Sequence, residues 1–557
     1  MRSLPGFRFL WRRDYQSRGI LHSGIGNVGG ALGPDFRSRT GRGLKPLLHS
    51  ITKRGTGSLA SIACRSAFAV GVFLAAIGSL SAAAFDFADV SARAQALAAQ
   101  PYAEPAAALP GWMQALNYEQ HRAIQFDPAH AWWHEQKLPF QLQFFHPGWL
   151  FKAPVKMSVV VGGHVRPVDF SRSLFNYGAV KTGEIPPHTG FAGFRIHYPL
   201  QNPGDELAVF LGASYFRAVG RGMAYGLSSR GLAVNTGEPG PEEFPRFDEF
   251  WVVQPEPAAA TVTVFALLNS PSVAGAYRFI LHPGDETIVD VKAVLYFRRN
   301  PAVVGLAPLT SMFQHGENTG WSKDDFRPEV HDSDGLLLNT GAGEWIWRPL
   351  ANPPATRVST FSDRSPRGFG LMQRDREYAH YDDLEANYHL RPSAWVEPVG
   401  DWGAGAVRLL EIRSPDETND NIVACWVPAT LPAIGQPFAF DYRLHWLADP
   451  GRRPPSGYVT STRQGTVLDH PERRRFVVDF GGLPFDGPAR DMRGTVSVGA
   501  GAKLLHEPGV QVIRPLGVWR VVFELVPDGS GQPVELRCFL RDGKEILTET
   551  WSNLWNP

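Results

Sequence analysis

The chain has 557 residues, 43% of them hydrophobic, with 35 Phe, 16 Trp and 14 Tyr: ample material for large cores and too much length for one ordinary domain. Its 55 basic and 54 acidic residues balance to a net charge of +1, which argues against the basic excess of a nucleic-acid binder. The 57 Gly and 46 Pro are spread through the sequence and favour short strands and turns over long helices.

Residues 1–52 are rich in Arg, Gly and Ser. Behind them Lys53, Arg54 and Arg65 precede an apolar stretch, 66–81 (SAFAVGVFLAAIGSLS), and then Ala82-Ala83-Ala84. Basic region, short apolar region and small-residue cleavage site, in that order, predict a secretory signal cut just before Phe85. The stretch is too short and too rich in Gly and Ala for a membrane span. Such a signal leaves 1–52 without an export role; a start codon placed too far upstream would account for them. Arg12-Arg13 could be read as a twin-arginine signal, but the pair lies far from the apolar stretch.

Residues 90–100 are Ala-rich and predict one helix, with Ser91 as a cap and Pro101 as a stop. From about residue 138 short apolar or alternating runs take over: 140–145, 155–161, 192–196, 208–211, 260–268, 276–281 and 287–297. Pro-Gly turns punctuate them at 147–148, 203–204 and 283–284. The body is therefore expected to be all-β, a large sandwich. A Pro/Gly/Arg-rich run, 448–457, reads as a linker to a second, immunoglobulin-like sandwich over 458–557. The domain plan is thus 1–84 extension and signal, 85–447 sandwich, 448–457 linker and 458–557 second sandwich. Of Cys64, Cys425 and Cys538, the first leaves with the signal and the other two are too far apart to predict a disulfide.

Several motifs fail. Residues 24–29 match GxGxxG without a preceding strand, 226–230 (GLSSR) lacks the second Gly of a nucleophile elbow, and no HExxH, P-loop or EF-hand pattern occurs. Asp332-Ser333-Asp334 could ligate a hard cation, but a DxD alone is common in loops and no metal is assigned.

Two polar blocks carry the chemistry. Asp416-Glu417-Thr418-Asn419-Asp420-Asn421 runs straight into the apolar 422–426 (IVACW). His331-Asp332-Ser333-Asp334-Gly335 precedes an aromatic cluster, 344–349 (EWIWRP). Acids and amides against the start of a strand are expensive to bury. Carboxylates beside tryptophans suit a sugar-cleaving site, where one acid donates a proton, another activates water and flat rings stack on the sugar. Trp345 and Trp347 share a parity and hence a face, which is either a sugar platform or sandwich core. Arg391 could pair with Glu385 or Glu397, or grip sugar hydroxyls; Tyr388 could be core or line a cleft; Asp382, Asp383 and Glu385 read as solvated loop acids.

At these blocks the chain resembles the osmoregulated periplasmic glucan biosynthesis proteins G and D (OpgG/OpgD, MdoG). The shared stretches include 190–194 (GFAGF), 211–217 (LGASYFR), 225–233 (YGLSSRGLA), 242–245 (EEFP) and 308–313 (PLTSMF). They continue with HDSDG, 343–350 (GEWIWRPL), 391–398 (RPSAWVEP) and DETNDNIVACW, of which GEWIWRPL and DETNDNIVA lean towards G. The resemblance covers residues 85 to 557, dense before 447. It implies a periplasmic protein with a galactose-mutarotase-like supersandwich and a smaller immunoglobulin-like domain. The implied activity is inverting internal cleavage of β-1,2-glucan without a cofactor. By motif match Asp420 is the general acid and Asp332 the general base, with Asp334 a neighbouring competitor for that role. By the same match Glu417, Tyr388 and Arg391 fall on positions that line the family's substrate cleft. Asp420 must then keep its proton near neutral pH, through partial burial or a negative neighbour such as Glu417. Inversion predicts carboxyl groups roughly 6.5–9.5 Å apart, or more with a relay. The expected partners are β-1,2-glucan and the membrane-bound glucan synthase, with the chain a monomer or homodimer. A glucan-binding protein that presents the polymer to that synthase is the competing reading.

Overall fold

The computed structural model describes residues 84–104, 109–186, 189–320, 324–448, 454–485 and 491–557. The expected signal lies outside them, apart from Ala84. At Phe85 the described chain is already anchored: its amide donates to the Gly163 carbonyl (2.9 Å) and its ring sits 5.2 Å from that of Trp251. The predicted helix forms over Phe87–Ala98, but Asp86 caps it, in a reciprocal box with Asp89. Ser91 sits inside the helix, within hydrogen-bond distance of the Tyr296 hydroxyl (2.9 Å).

The body is all-β, as the apolar runs predict. A ten-stranded sheet runs in the order Gln141–Phe145, Gly193–His197, Glu206–Leu211, Tyr215–Ala218, Ser228–Arg230, Val304–Ser311, Ile422–Pro428, Ala404–Glu411 and Arg357–Arg364, with Leu232–Val234 pairing beside this path. It faces a fifteen-stranded sheet that includes Val262–Asn269, Val273–His282, Thr287–Phe297 and Pro437–Leu447. Alternate residues of both sheets fill the space between them; Phe194 meets Phe250 at 5.1 Å and Phe210 meets Phe279 at 5.2 Å, ring centre to ring centre.

Val304–Ser311 is the central strand that delivers the chain to the polar blocks, and every residue in it is buried. A proline belongs in such a strand only at an irregularity. Here the register with Ile422–Pro428 shifts between Leu306 and Leu309, and Ala307 has φ of 45°. Pro308 sits in that bulge, and its carbonyl accepts the Ser229 hydroxyl (3.0 Å).

Beyond residue 457 a five-stranded sheet, including Tyr458–Val467, His470–Gly481 and Val518–Pro527, forms a second sandwich. Its other layer is no separate sheet. Met492–Val498, Val534–Asp542 and Thr550–Trp555 continue the fifteen-stranded sheet, Thr550–Trp555 pairing in parallel with Trp345–Pro349. Phe476, Phe523 and Trp551 therefore share one core with Leu337, Trp347, Met372 and Trp395. A chain stopped at residue 448 is expected to expose those last four side chains and aggregate. A soluble, monomeric 85–448 fragment by size-exclusion chromatography would contradict this.

Trp345 and Trp347 do share a face, and that face belongs to the second core. Trp347 is buried, and Trp345 stacks on Trp395 at 5.8 Å. They are not a sugar platform. Gly335 is required beneath them, since a Cβ there would lie 2.4 Å from Cζ2 of Trp347.

Candidate active site

Both polar blocks converge on the short segment where Val304–Ser311 ends. Met312 accepts the backbone N–H of Asp332 (2.8 Å). Asn421 clasps the next residue, accepting the Phe313 N–H (2.9 Å) and donating to its carbonyl (2.9 Å), and donates as well to Ile412 (3.1 Å). The segment 312–313 is thus the spacer between HDSD and DETNDN. Asn421 is buried because it replaces ladder bonds that the chain cannot make as it turns out of the sheet.

Asp332 and Arg391 are both fully buried and form an ion pair, one guanidinium nitrogen donating to Oδ1 of Asp332. The remaining Arg391 nitrogens bond the Ala386 carbonyl (3.1 and 2.8 Å), and the guanidinium lies 4.3 Å from the Tyr388 ring centre. Arg391 therefore pairs with neither Glu385 nor Glu397. The Tyr388 ring is buried while its hydroxyl donates to Glu417 Oε2 (3.2 Å). Asp332, Arg391, Tyr388 and Glu417 so form one continuous polar chain, and Asp420 stands three residues further along the Glu417 loop. Four of the five predicted residues are thus joined by contacts, and the fifth, Asp420, shares the loop of Glu417 and pairs with a residue outside the predicted set.

Three arginine and amide side chains not singled out from the sequence complete it. Arg217 places Nη2 3.8 Å from Oδ2 of Asp420. Its one sequence signal is parity, since Tyr215 and Arg217 share a strand face. In the structure Arg230 lies over the Tyr215 ring, and burial, with the nearby Asp420 and Glu242, pushes the pKa of the Tyr215 hydroxyl up to about 12. Arg327 binds Glu417 (2.7 Å), Asp383 (2.8 Å) and Asp325 (2.8 Å). Glu417, expected as the negative neighbour of Asp420, is thus engaged by Arg327 and Tyr388. Asp383 is no solvated acid: burial alone would raise its pKa, but the Ala386 amide and Arg327 hold it below the ordinary range. Gln373, fully buried, donates to the carbonyls of His331 and Tyr388 (both 3.2 Å) and ties the two site segments together.

Asp334 is committed elsewhere. It accepts the backbone N–H groups of Arg374 and Asp375, and Arg374 in turn reaches the buried Glu549 (2.6 and 3.0 Å). His331 bonds Glu329 through Nε2 (2.7 Å) and Gln373 through Nδ1 (3.0 Å). Burial would lower its pKa, yet the bond to Glu329 and the charges of Asp334 and Glu329 lift it to about 9. Glu329, His331 and Asp334, and again Glu329, Asp375 and His380, bring three ligand atoms within 4.8 Å of one another. In the first group the His331 imidazolium itself supplies the positive charge. A folded-state pKa above the unfolded value makes this stabilisation complete below about 6.5, and it is lost as pH rises through about 9. Urea unfolding at pH 6.5 and 9.5 should show the wild type losing about 3 kcal/mol and His331→Gln losing far less.

Comparison with known proteins agrees with the resemblance. A family model described as "Periplasmic glucan biosynthesis protein, MdoG" matches residues 85–555. The Glucans biosynthesis protein G of Ralstonia nicotianae is 48% identical over 507 residues, covering 88% of this chain and 99% of that protein. Glucans biosynthesis protein D 1 of the same organism is 46% identical, over 85% of this chain and 92% of its own length. Glucans biosynthesis protein G of Pseudomonas paraeruginosa is 43% identical, over 84% and 92%. With nearly its whole described length matched by one model and by relatives carrying both the G and the D name, the chain belongs to the MdoG family of periplasmic glucan biosynthesis proteins.

Proposed function

We propose that this periplasmic glucan biosynthesis protein cuts the β-1,2-linked glucan backbone internally, with inversion, Asp420 serving as general acid and Asp332 as general base. The observation that supports this best is the single polar chain from Asp332 through Arg391 and Tyr388 to Glu417, with Asp420 on the same loop. Two carboxyl groups on either side of the 312–313 spacer provide the acid and the base that inversion needs, and the polar groups between them suit sugar hydroxyls. Asp332 is fully buried, which favours a relay: a substrate hydroxyl passes the proton of the attacking water to it. Glu417, Tyr388 and Arg391 orient the sugar, and no cofactor is needed.

A second reading has its own support. Arg217 faces Asp420 and Arg391 engages Asp332, so each carboxylate has a guanidinium partner, as in a binding site that grips glucan without cutting it. Such a protein would present the polymer to the membrane-bound synthase. Incubating the mature protein with linear β-1,2-glucan separates the two. Hydrolysis should yield shorter oligosaccharides whose new reducing ends appear first as the α-anomer by NMR. Binding with no shortening would establish a glucan-binding role and end the hydrolase reading.

A further inference from the structure

We propose that Phe326 and Leu384 form an apolar stacking subsite for a glucosyl ring beside the Asp332–Glu417 site, an inference that rests on the glucan reading above. Both side chains are held in water, Phe326 73% and Leu384 76% exposed. Single exposed apolar side chains are ordinary; what sets these apart is how they are mounted. Phe326 lies between Asp325 and Arg327, where Asp325 Oδ1 accepts both the backbone N–H (3.0 Å) and Nε (2.9 Å) of Arg327. Leu384 lies in a turn whose Asp383 Oδ1 accepts the N–H groups of Glu385 (2.9 Å) and Ala386 (2.7 Å). Each is thus at the tip of a turn closed by the aspartate before it. The Arg327–Asp383 salt bridge (2.8 Å) then joins one turn to the other.

The same Arg327 binds Glu417 at 2.7 Å, and the Leu384 turn supplies the Ala386 carbonyl that fixes Arg391. The two turns that carry the exposed side chains are therefore tied directly to the polar groups assigned to sugar hydroxyls. A pyranose ring offers both chemistries, hydroxyls around its edge and C–H groups on its faces, and an aromatic face takes the latter. Turns already locked by ion pairs lose little freedom when a ligand lands on them.

The test uses the full mature chain carrying Asp420→Asn, so that glucan is bound without turnover, and isothermal titration with a linear β-1,2-glucan of defined length. Adding Phe326→Ala should weaken binding about tenfold and Leu384→Ala about threefold, while Phe326→Trp should keep the parental affinity. High exposure of both positions leaves the fold intact in every variant. Unchanged affinity in Phe326→Ala would overturn the subsite. A dimer that dissociates on Phe326→Ala with glucan affinity unchanged would also overturn it and assign the patch to a second copy of the chain. A parent protein and a wild type that both bind no glucan would overturn the glucan reading itself, and the subsite with it.

Discussion

Asp420→Asn is expected to lower the cleavage of linear β-1,2-glucan by about 10²–10⁴-fold, the usual worth of positioned acid–base help. The amide is nearly isosteric and still hydrogen-bonds, so glucan affinity should stay close to that of the wild type. It has no acidic proton to transfer to the leaving oxygen. The side chain is mostly buried and 3.8 Å from Arg217, so the exchange also alters its contact with that guanidinium. Arg217→Met in the same assay separates the two effects: if Asp420 acts only by holding Arg217, the two variants will lose activity equally. Activity within a few-fold of wild type in Asp420→Asn would refute the acid assignment. Asp332→Asn should also abolish cleavage. Asp334→Asn should be milder, because Asp334 serves backbone N–H groups and His331.

Arg391→Met should lower stability by about 3–5 kcal/mol, more than any exposed substitution here. It removes one member of a fully buried ion pair and leaves the Asp332 charge without its guanidinium. The same change frees the Ala386 carbonyl and uncovers the Tyr388 ring, so cleavage should be lost as well. Adding Asp332→Asn should recover much of the stability, since a neutral amide needs no counter-charge, and none of the activity. Denaturant unfolding of the two single variants and the double variant measures the coupling. A loss below about 1 kcal/mol in Arg391→Met would show that the pair is not an essential support of the site.

The strands were legible wherever apolar runs met turn residues. Thr287–Phe297 forms with the predicted bounds because its alternation is long and Pro283-Gly284 closes it. The helix was legible but its cap was not: Ser91 and Asp86 both precede apolar residues, and only the reciprocal bonds of Asp86 and Asp89 decide between them. For Trp345 and Trp347 the period fixed a common face without saying what covers it. That depends on Thr550–Trp555, some 200 residues away, and parallel pairing across such a distance leaves no local mark. The site shows the same division. A polar run pressed against 422–426 stood out as costly, and the resemblance supplied its residues. Which charge balances Asp332 did not stand out, because Arg391 lies 59 residues downstream and closer acids competed for it. Arg327 gave little sign, as the local Asp325 accounts for it by itself and its other partners, Asp383 and Glu417, come from two distant loops.

The placement of Thr550–Trp555 between Val534–Asp542 and Trp345–Pro349 has a consequence for how the chain is made. A strand inserted between two others closes a sheet only when it arrives, and this one follows both of its neighbours and every other described strand in chain order. Until it does, the inner faces of Trp345–Pro349 and of the five-stranded sheet have no common layer to hold them together. Closing a loop of this length is slow compared with forming local hairpins. Maturation should therefore be late and abrupt: a ribosome or a translocation channel still holding residues 550–555 holds back the second core, however complete the first sandwich already is.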